Sequence, residues 1–350
     1  MEQKRKLHLD VLRILAAFFV IFNHTPAFSY FTHQDPTKPL YWLCLSVSVL
    51  CKISVPMFFM MSGALLLGRE EKPLRILQRA LRILAVLVIF SFLSYLQQVE
   101  QGNQTFDLKH FFEVVVKKDW LNAYWYLYAY LAFILCLPFL RAIVKGLKPG
   151  HYRYLMGLQL FFQGILPVVL NLILKQEISF NRNFSFGWLL GYVPLYPLIG
   201  YYLENVLDIR SVNWKKMAGL WLSFLVCLGL TCYATYLNNA DKGGFPQTYL
   251  MSFIMMLCIP MYITAKKLFM NFPASWIGTL LTSVGSCTFG IYLIHGLLLR
   301  DNRLRLLSIL YRSGDLPSIL KYSVACLDIM FTGYCITWFL RRIPGIKKLL

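Results

Sequence analysis

Residues 9–26 read LDVLRILAAFFVIFNHTP, an apolar run interrupted by Asp10, Arg13 and His24. On a helix advancing ~100° and ~1.5 Å per residue, Arg13 and His24 differ by ~20° in direction and ~16 Å in height, and Asp10 lies within ~60° of Arg13. All three therefore share one face. A carboxylate and a guanidinium can hold each other by charge-assisted bonds, and an imidazole titrates near neutral pH and can take a proton. An ionised group at the membrane centre costs at least ~2.5 kcal/mol, so such a stripe is expected to face the bundle interior or a wet cavity. Taken singly, the residues have plainer readings. Asp10 and Arg13 also fit a helix-end pair snorkelling to the headgroups, and His24 fits a core histidine bonded to a backbone carbonyl. Aligned, they read as a polar path from near one membrane surface into the opposite half of the bilayer.

The elements that must carry this face are set by composition. Of 350 residues, 58% are hydrophobic, 16% aromatic and 15% charged, with a mean hydropathy of +0.56; a soluble domain sits nearer half apolar and a quarter charged. Apolar runs near the ~20 residues that cross a bilayer recur along the whole length. The expected fold is all-α, a polytopic bundle with spans near 8–30, 41–67, 83–99, 120–140, 154–174, 188–207, 217–237, 248–265, 276–299 and 320–340. One integral-membrane domain over residues 1–350 is expected, with no appended soluble domain. MEQKRK ahead of the first run reads as the start of a retained helix rather than a secretory signal, since Asp10 and Arg13 break the apolar region.

The net charge of +19 does not indicate nucleic acid, because the cations lie in short connections rather than in a basic stripe. Connections on the side of the N-terminus hold 21 Lys and Arg against 12 on the other side. That bias predicts both termini in the cytoplasm. The nine cysteines all sit in apolar runs without C-x-x-C pairs or neighbouring histidines, so they read as small buried hydrophobes, and no metal site is expected.

Several motifs point to one family. Arg13, ten residues and His24, preceded by LDVLR, resemble the first helix of the acyltransferase-3 family, the bacterial membrane O-acyltransferases of surface polysaccharides. VPMFFMMSG resembles that family's second-helix signature through Pro56, Phe58, Phe59, Ser62 and Gly63. RALR (Arg79 to Arg82) is similar to its cytoplasmic R-x-x-R, and WYLYAYL, beginning at Trp125, to its fourth-helix aromatic patch. YPLIGYYL (196–203) and SCTFGIYLIH (286–295) resemble later signatures, so the resemblance spans the chain.

The resemblance implies an O-acetyltransferase of the bacterial cytoplasmic membrane. Its donor would be cytoplasmic acyl-coenzyme A, most often acetyl-CoA, with no permanently bound cofactor. Its acceptor would be an envelope polysaccharide or a lipid-linked precursor. Such a reaction needs a base for the hydroxyl proton and charge stabilisation for the oxyanion. His24 would be the base, Arg13 would orient the donor or polarise the thioester, and Asp10 would hold Arg13. Arg79 and Arg82 are candidates for the donor phosphates, positive-inside anchoring being an equal alternative. Ser62 is a candidate donor near the reaction centre, with close helix packing as its alternative. Tyr292, His295 and Trp125 are candidate acceptor contacts, and Lys52 and Asp328 are further intramembrane charges. No Gly-x-Ser-x-Gly elbow occurs, which leaves both direct transfer and an acyl-histidine intermediate open. Expected partners are the lipid bilayer and the glycan, without nucleic acid, and a homodimer is among the open assemblies. The rival reading is a polysaccharide exporter on the same fold.

Overall fold

The computed structural model describes residues 5–25, 31–32, 34–170, 174, 187–242, 253–273, 275–300 and 318–350. Among these the chain is helical, without a strand. The main helices in order are α1 (Leu7–Asn23), α2 (Pro39–Cys51), α3 (Ser54–Leu66), α4 (Pro73–Glu100), α5 (Leu108–Lys117), α6 (Trp125–Gly146), α7 (Pro149–Gln159), α8 (Tyr192–Tyr201), α9 (Trp214–Lys242), α10 (Ile254–Phe269), α11 (Trp276–Arg300) and α12 (Ser318–Leu340). Wider π-helical turns follow α7 at Leu160–Ile165 and α8 at Tyr202–Val206. The helices fall into two compact units, one of residues 1–69 and 138–282 and the other of 70–137 and 283–350.

In the first unit, α1 packs against α2, α3 and α10 and buries Leu9, Leu12, Ala16, Val20 and Ile21. It contains no Gly or Pro, and it stops where the sequence says it must. Pro26 disfavours α conformation at Thr25, and the Thr25 hydroxyl turns back onto Phe22 O at 2.8 Å. The expected span 8–30 therefore becomes a helix ending at Asn23, with His24 as its C-cap; residues 26–30 lie outside the described residues. The expected span 41–67 is broken into α2 and α3. Pro56 has no N–H for the Lys52 carbonyl and its ring crowds that carbonyl. The chain answers with a tight turn, Lys52 N–H to Val49 O and Ile53 N–H to Leu50 O, each at 3.1 Å.

The closest packing joins α3 to α8. A β-carbon on Gly63 would overlap the backbone of Pro197, and one on Gly200 would overlap the backbone of Met60. The two helices thus meet backbone to backbone through reciprocal glycines, the close approach that small residues permit in membrane bundles.

In the second unit, α4 begins at Pro73 rather than near residue 83, so Arg79 and Arg82 lie on the helix and not in a connection. It ends in a left-handed glycine, Gly102 at φ 73°. Asn103 N–H reaches Gln98 O at 2.9 Å and Gly102 N–H reaches Val99 O at 3.0 Å, the paired closure of a Schellman cap. Tyr95, Phe111, Val115 and Trp120 form a buried cluster that fixes α5 against α4. α11 and α12 approach at Gly290, where a β-carbon would overlap the Thr337 side chain.

Among the described residues six segments are long and apolar enough to cross a membrane: Pro39–Leu66, Pro73–Glu100, Asn122–Gly146, Trp214–Leu237, Trp276–Arg300 and Ile319–Leu340. The described parts of the other expected spans are also largely helical, but α1 and α10 are shorter, at 17 and 16 residues. Leu222 and Leu225 of α9 and Leu327 and Phe331 of α12 point outward. Apolar side chains on the outside of long apolar helices belong to a protein whose solvent is lipid. The chain is a multi-pass membrane protein.

The α3–α8 crossing predicts that Gly63→Ala and Gly200→Ala each destabilise by about 1–3 kcal/mol through overpacking. Gly219→Ala, where a β-carbon meets nothing within 4 Å, should instead hold or slightly raise stability through its better helix propensity. Thermal midpoints of the detergent-purified variants check both.

Candidate functional site

The charged residues of α1 are anchored at its N-terminal end by Asp10. Its carboxylate is fully buried and takes bonds from two guanidiniums: Arg5 Nε at 2.7 Å and Nη2 at 3.0 Å, and Arg13 Nη1 at 2.8 Å. Arg5 Nη2 also donates to Thr282 O at 2.8 Å. The fork of Arg5 matches the carboxylate bidentately, which fixes direction as well as charge. Arg13 is left partly exposed, at 27%. Sequence reasoning placed Arg5 among the positive-inside cations and missed this role.

A second buried carboxylate sits beside the same helix terminus. Glu204, on the π turn after α8, has a side chain only 3% exposed. It accepts from Lys6 Nζ at 2.8 Å, His8 Nε2 at 3.0 Å and Tyr262 OH at 2.9 Å, with Lys266 Nζ at 3.7 Å. Lys266 donates in addition to Leu203 O at 2.9 Å and Glu204 O at 2.8 Å. These are carbonyls at the end of a helix, which a cation satisfies well. None of these five residues was singled out in the sequence, although the rule that flagged Asp328, an acid in an apolar run, applies equally to Glu204.

His24, at the other end of α1, is half-buried and lies within electrostatic reach of Lys52. Lys52 stands at the α2–α3 break, so Pro56 places it. Ser62 is committed locally, its hydroxyl donating to Phe58 O of its own helix at 2.8 Å. Within this unit the structure therefore joins Asp10 to Arg13, adds Arg5, and sets His24 and Lys52 near each other.

The remaining candidates belong to the second unit. Arg79 pairs with Glu71 at 2.6 Å, and Arg82 donates to Leu349 O through Nε at 3.1 Å and Nη2 at 3.0 Å. Tyr292 and His295 are buried, and both use backbone carbonyls. Tyr292 OH bonds to Ala123 O and His295 Nδ1 to Tyr292 O. Tyr124 OH returns to Leu293 O at 2.8 Å, so these groups lace α11 to the 3-10 turn ahead of α6. Tyr126 meets Tyr292 edge-on at 5.5 Å. Trp125 is exposed, at 37%. Among the described residues, no group of three or more His, Cys, Asp and Glu side chains is arranged to hold a metal ion.

Among the described residues the fold is that of an all-helical, multi-pass membrane protein. A family model described as an acyltransferase domain, Acyl_transf_3, matches residues 7–339. The chain belongs to this family and is a membrane acyltransferase. Searches of curated proteins and of solved structures return no significant match.

Asp10→Asn should lower stability by about 1–3 kcal/mol, the partial exposure of Arg5 and Arg13 keeping the loss below that of a fully buried ion cluster. Arg5→Ala, which leaves Asp10 bonded to Arg13, should cost less. Thermal midpoints measured side by side give the order.

Proposed function

We propose that this membrane acyltransferase moves an acyl group, acetyl in the simplest case, from cytoplasmic acyl-coenzyme A to a hydroxyl of a cell-envelope polysaccharide or its lipid-linked precursor. The membrane in this reading is the bacterial cytoplasmic membrane, with both chain termini inside. One observation carries it. The single helix α1 presents Arg13, fixed by the buried Asp10, and, eleven residues on, His24 at its end.

In this reading Arg13 and its neighbours form the electropositive, cytoplasm-proximal end, where an anionic donor is drawn in. His24 stands ~16 Å along the helix, where the acceptor hydroxyl is activated. The hydroxyl oxygen attacks the thioester carbonyl while the imidazole takes its proton. The C–O bond forms, the C–S bond breaks, and the leaving thiolate recovers the proton from the imidazolium as free coenzyme A. Lys52, within electrostatic reach of His24, supplies positive charge for the oxyanion formed between those two steps.

His24→Ala should reduce transfer by about 10²–10⁴-fold, the usual worth of a positioned acid-base group. Mass analysis of surface glycans from cells carrying the wild type, the variant or neither checks it. The acetyl increment should vanish with the variant while the glycan itself stays on the surface. Full acylation by His24→Ala would overturn the reading, and loss of the whole glycan from the surface would move it to export.

A further inference from the structure

The first unit holds a groove that the acyltransfer reading does not use. It has a volume of about 550 Å³ and lies between α7, the π turn after α8, α9 and α10. That size falls within the range of small-molecule sites. Its wall is almost wholly apolar, with Met156, Met255 and Met256 among the lining side chains, unbranched groups that fit an irregular chain. Two cations, Arg153 and Lys216, stand in the lining, and both are exposed.

Three observations identify what fits. First, the groove is placed like one leaflet of a bilayer. Trp214, 75% exposed, lies two residues before Lys216, as an interfacial anchor does. Arg153 and Lys216 lie near the N-terminal ends of α7 and α9, among the cations that the charge count assigns to the cytoplasmic side. From there the lining runs along α10 between Ile263 and Met255, ~12 Å of helix rise, against ~15 Å for half a hydrocarbon core. Second, the lining combines two exposed cations with an otherwise hydrocarbon surface, the two chemistries of an anionic amphiphile. Third, the space is kept open by two glycines, Gly157 in α7 and Gly219 in α9. A β-carbon at either meets nothing within 4 Å. Packing inside the protein thus gives no reason for glycine there, although each costs about 1 kcal/mol of helix propensity relative to alanine.

We propose that this groove binds one anionic phospholipid of the cytoplasmic leaflet, one of its two acyl chains between α7, α9 and α10 and its phosphate at Arg153 and Lys216. Arg153 offers a guanidinium fork to the phosphate oxygens. Lys216 Nζ donates to Ser211 O at 2.9 Å and keeps further N–H bonds for the ligand. The site is separate from the face of α1 that carries Arg13 and His24.

Native mass spectrometry of the full-length protein, titrated with palmitoyl-oleoyl phosphatidylglycerol or with the phosphatidylethanolamine of the same chains, tests this. One phosphatidylglycerol should be retained at activation that strips phosphatidylethanolamine. Arg153→Ala and Lys216→Ala should each weaken its binding about fivefold, and the double variant should bind the two lipids alike. Gly157→Leu with Gly219→Leu fills the groove, and the tightly held lipid should be lost. Equal retention of the two lipids by the wild type would overturn the proposal, as would unchanged selectivity in the double alanine variant. Retention by a folded, monodisperse leucine variant would do the same. Should the leucine variant not fold, the exposed alanine pair decides the matter alone, because both side chains lie outside the core.

Discussion

A carboxylate enclosed by helices in a bilayer has no water to spread its charge into, so its partners must be built from the chain. Asp10 meets this constraint with two arginines from its own neighbourhood, one at position 5 and one a single turn along α1. Glu204 meets it with groups drawn from two places in the sequence, the N-terminal residues Lys6 and His8 and, on α10, Tyr262 and Lys266. Between them, the two acids tie the start of α1 to its surroundings from both sides. Arg13 can keep a defined direction because Asp10 leaves it few alternatives, and α1 can keep its height because Lys6 and His8 are held by Glu204.

The same helix is fixed at its other end by backbone chemistry rather than charge. Pro26 and Thr25 end α1, which turns His24 from a mid-helix residue into the helix's C-cap. Pro56 does for Lys52 what Pro26 does for His24: it removes a backbone bond and breaks the helix where a polar side chain is wanted. The close α3–α8 crossing then locks the segment just beyond that break. Two prolines and two glycines thus help to set where His24 and Lys52 stand.

Much of this was readable from the sequence, and what was missed has physical causes. The shared face of Asp10, Arg13 and His24 follows from helical spacing alone, which needs no knowledge of neighbours. Helix type was equally plain, since lipid-facing runs such as 217–237 admit no other structure. The end of α1 was legible in the Thr-Pro pair but was outweighed by the apolar residues around it. Arg5 was hidden because a tail cation that bonds a buried acid looks the same as one that faces headgroups. Glu204 was hidden because its four partners are distant in sequence, and periodicity says nothing of which helices meet. Tyr292 and His295 show the converse. Both were named as candidate acceptor contacts from the sequence, and only the packed structure shows that Tyr292 OH and His295 Nδ1 bond to carbonyls of the chain itself.

The difference between the two buried acids also bears on how the chain enters the membrane during synthesis. Asp10 finds both arginines within five residues, so its partners are synthesised together with it. Glu204 emerges some two hundred residues later, when Lys6 and His8 have long been waiting, and its last partners, Tyr262 and Lys266, follow about sixty residues after that. The contacts that seat the first helix are therefore complete only once residue 266 of the 350 has been made.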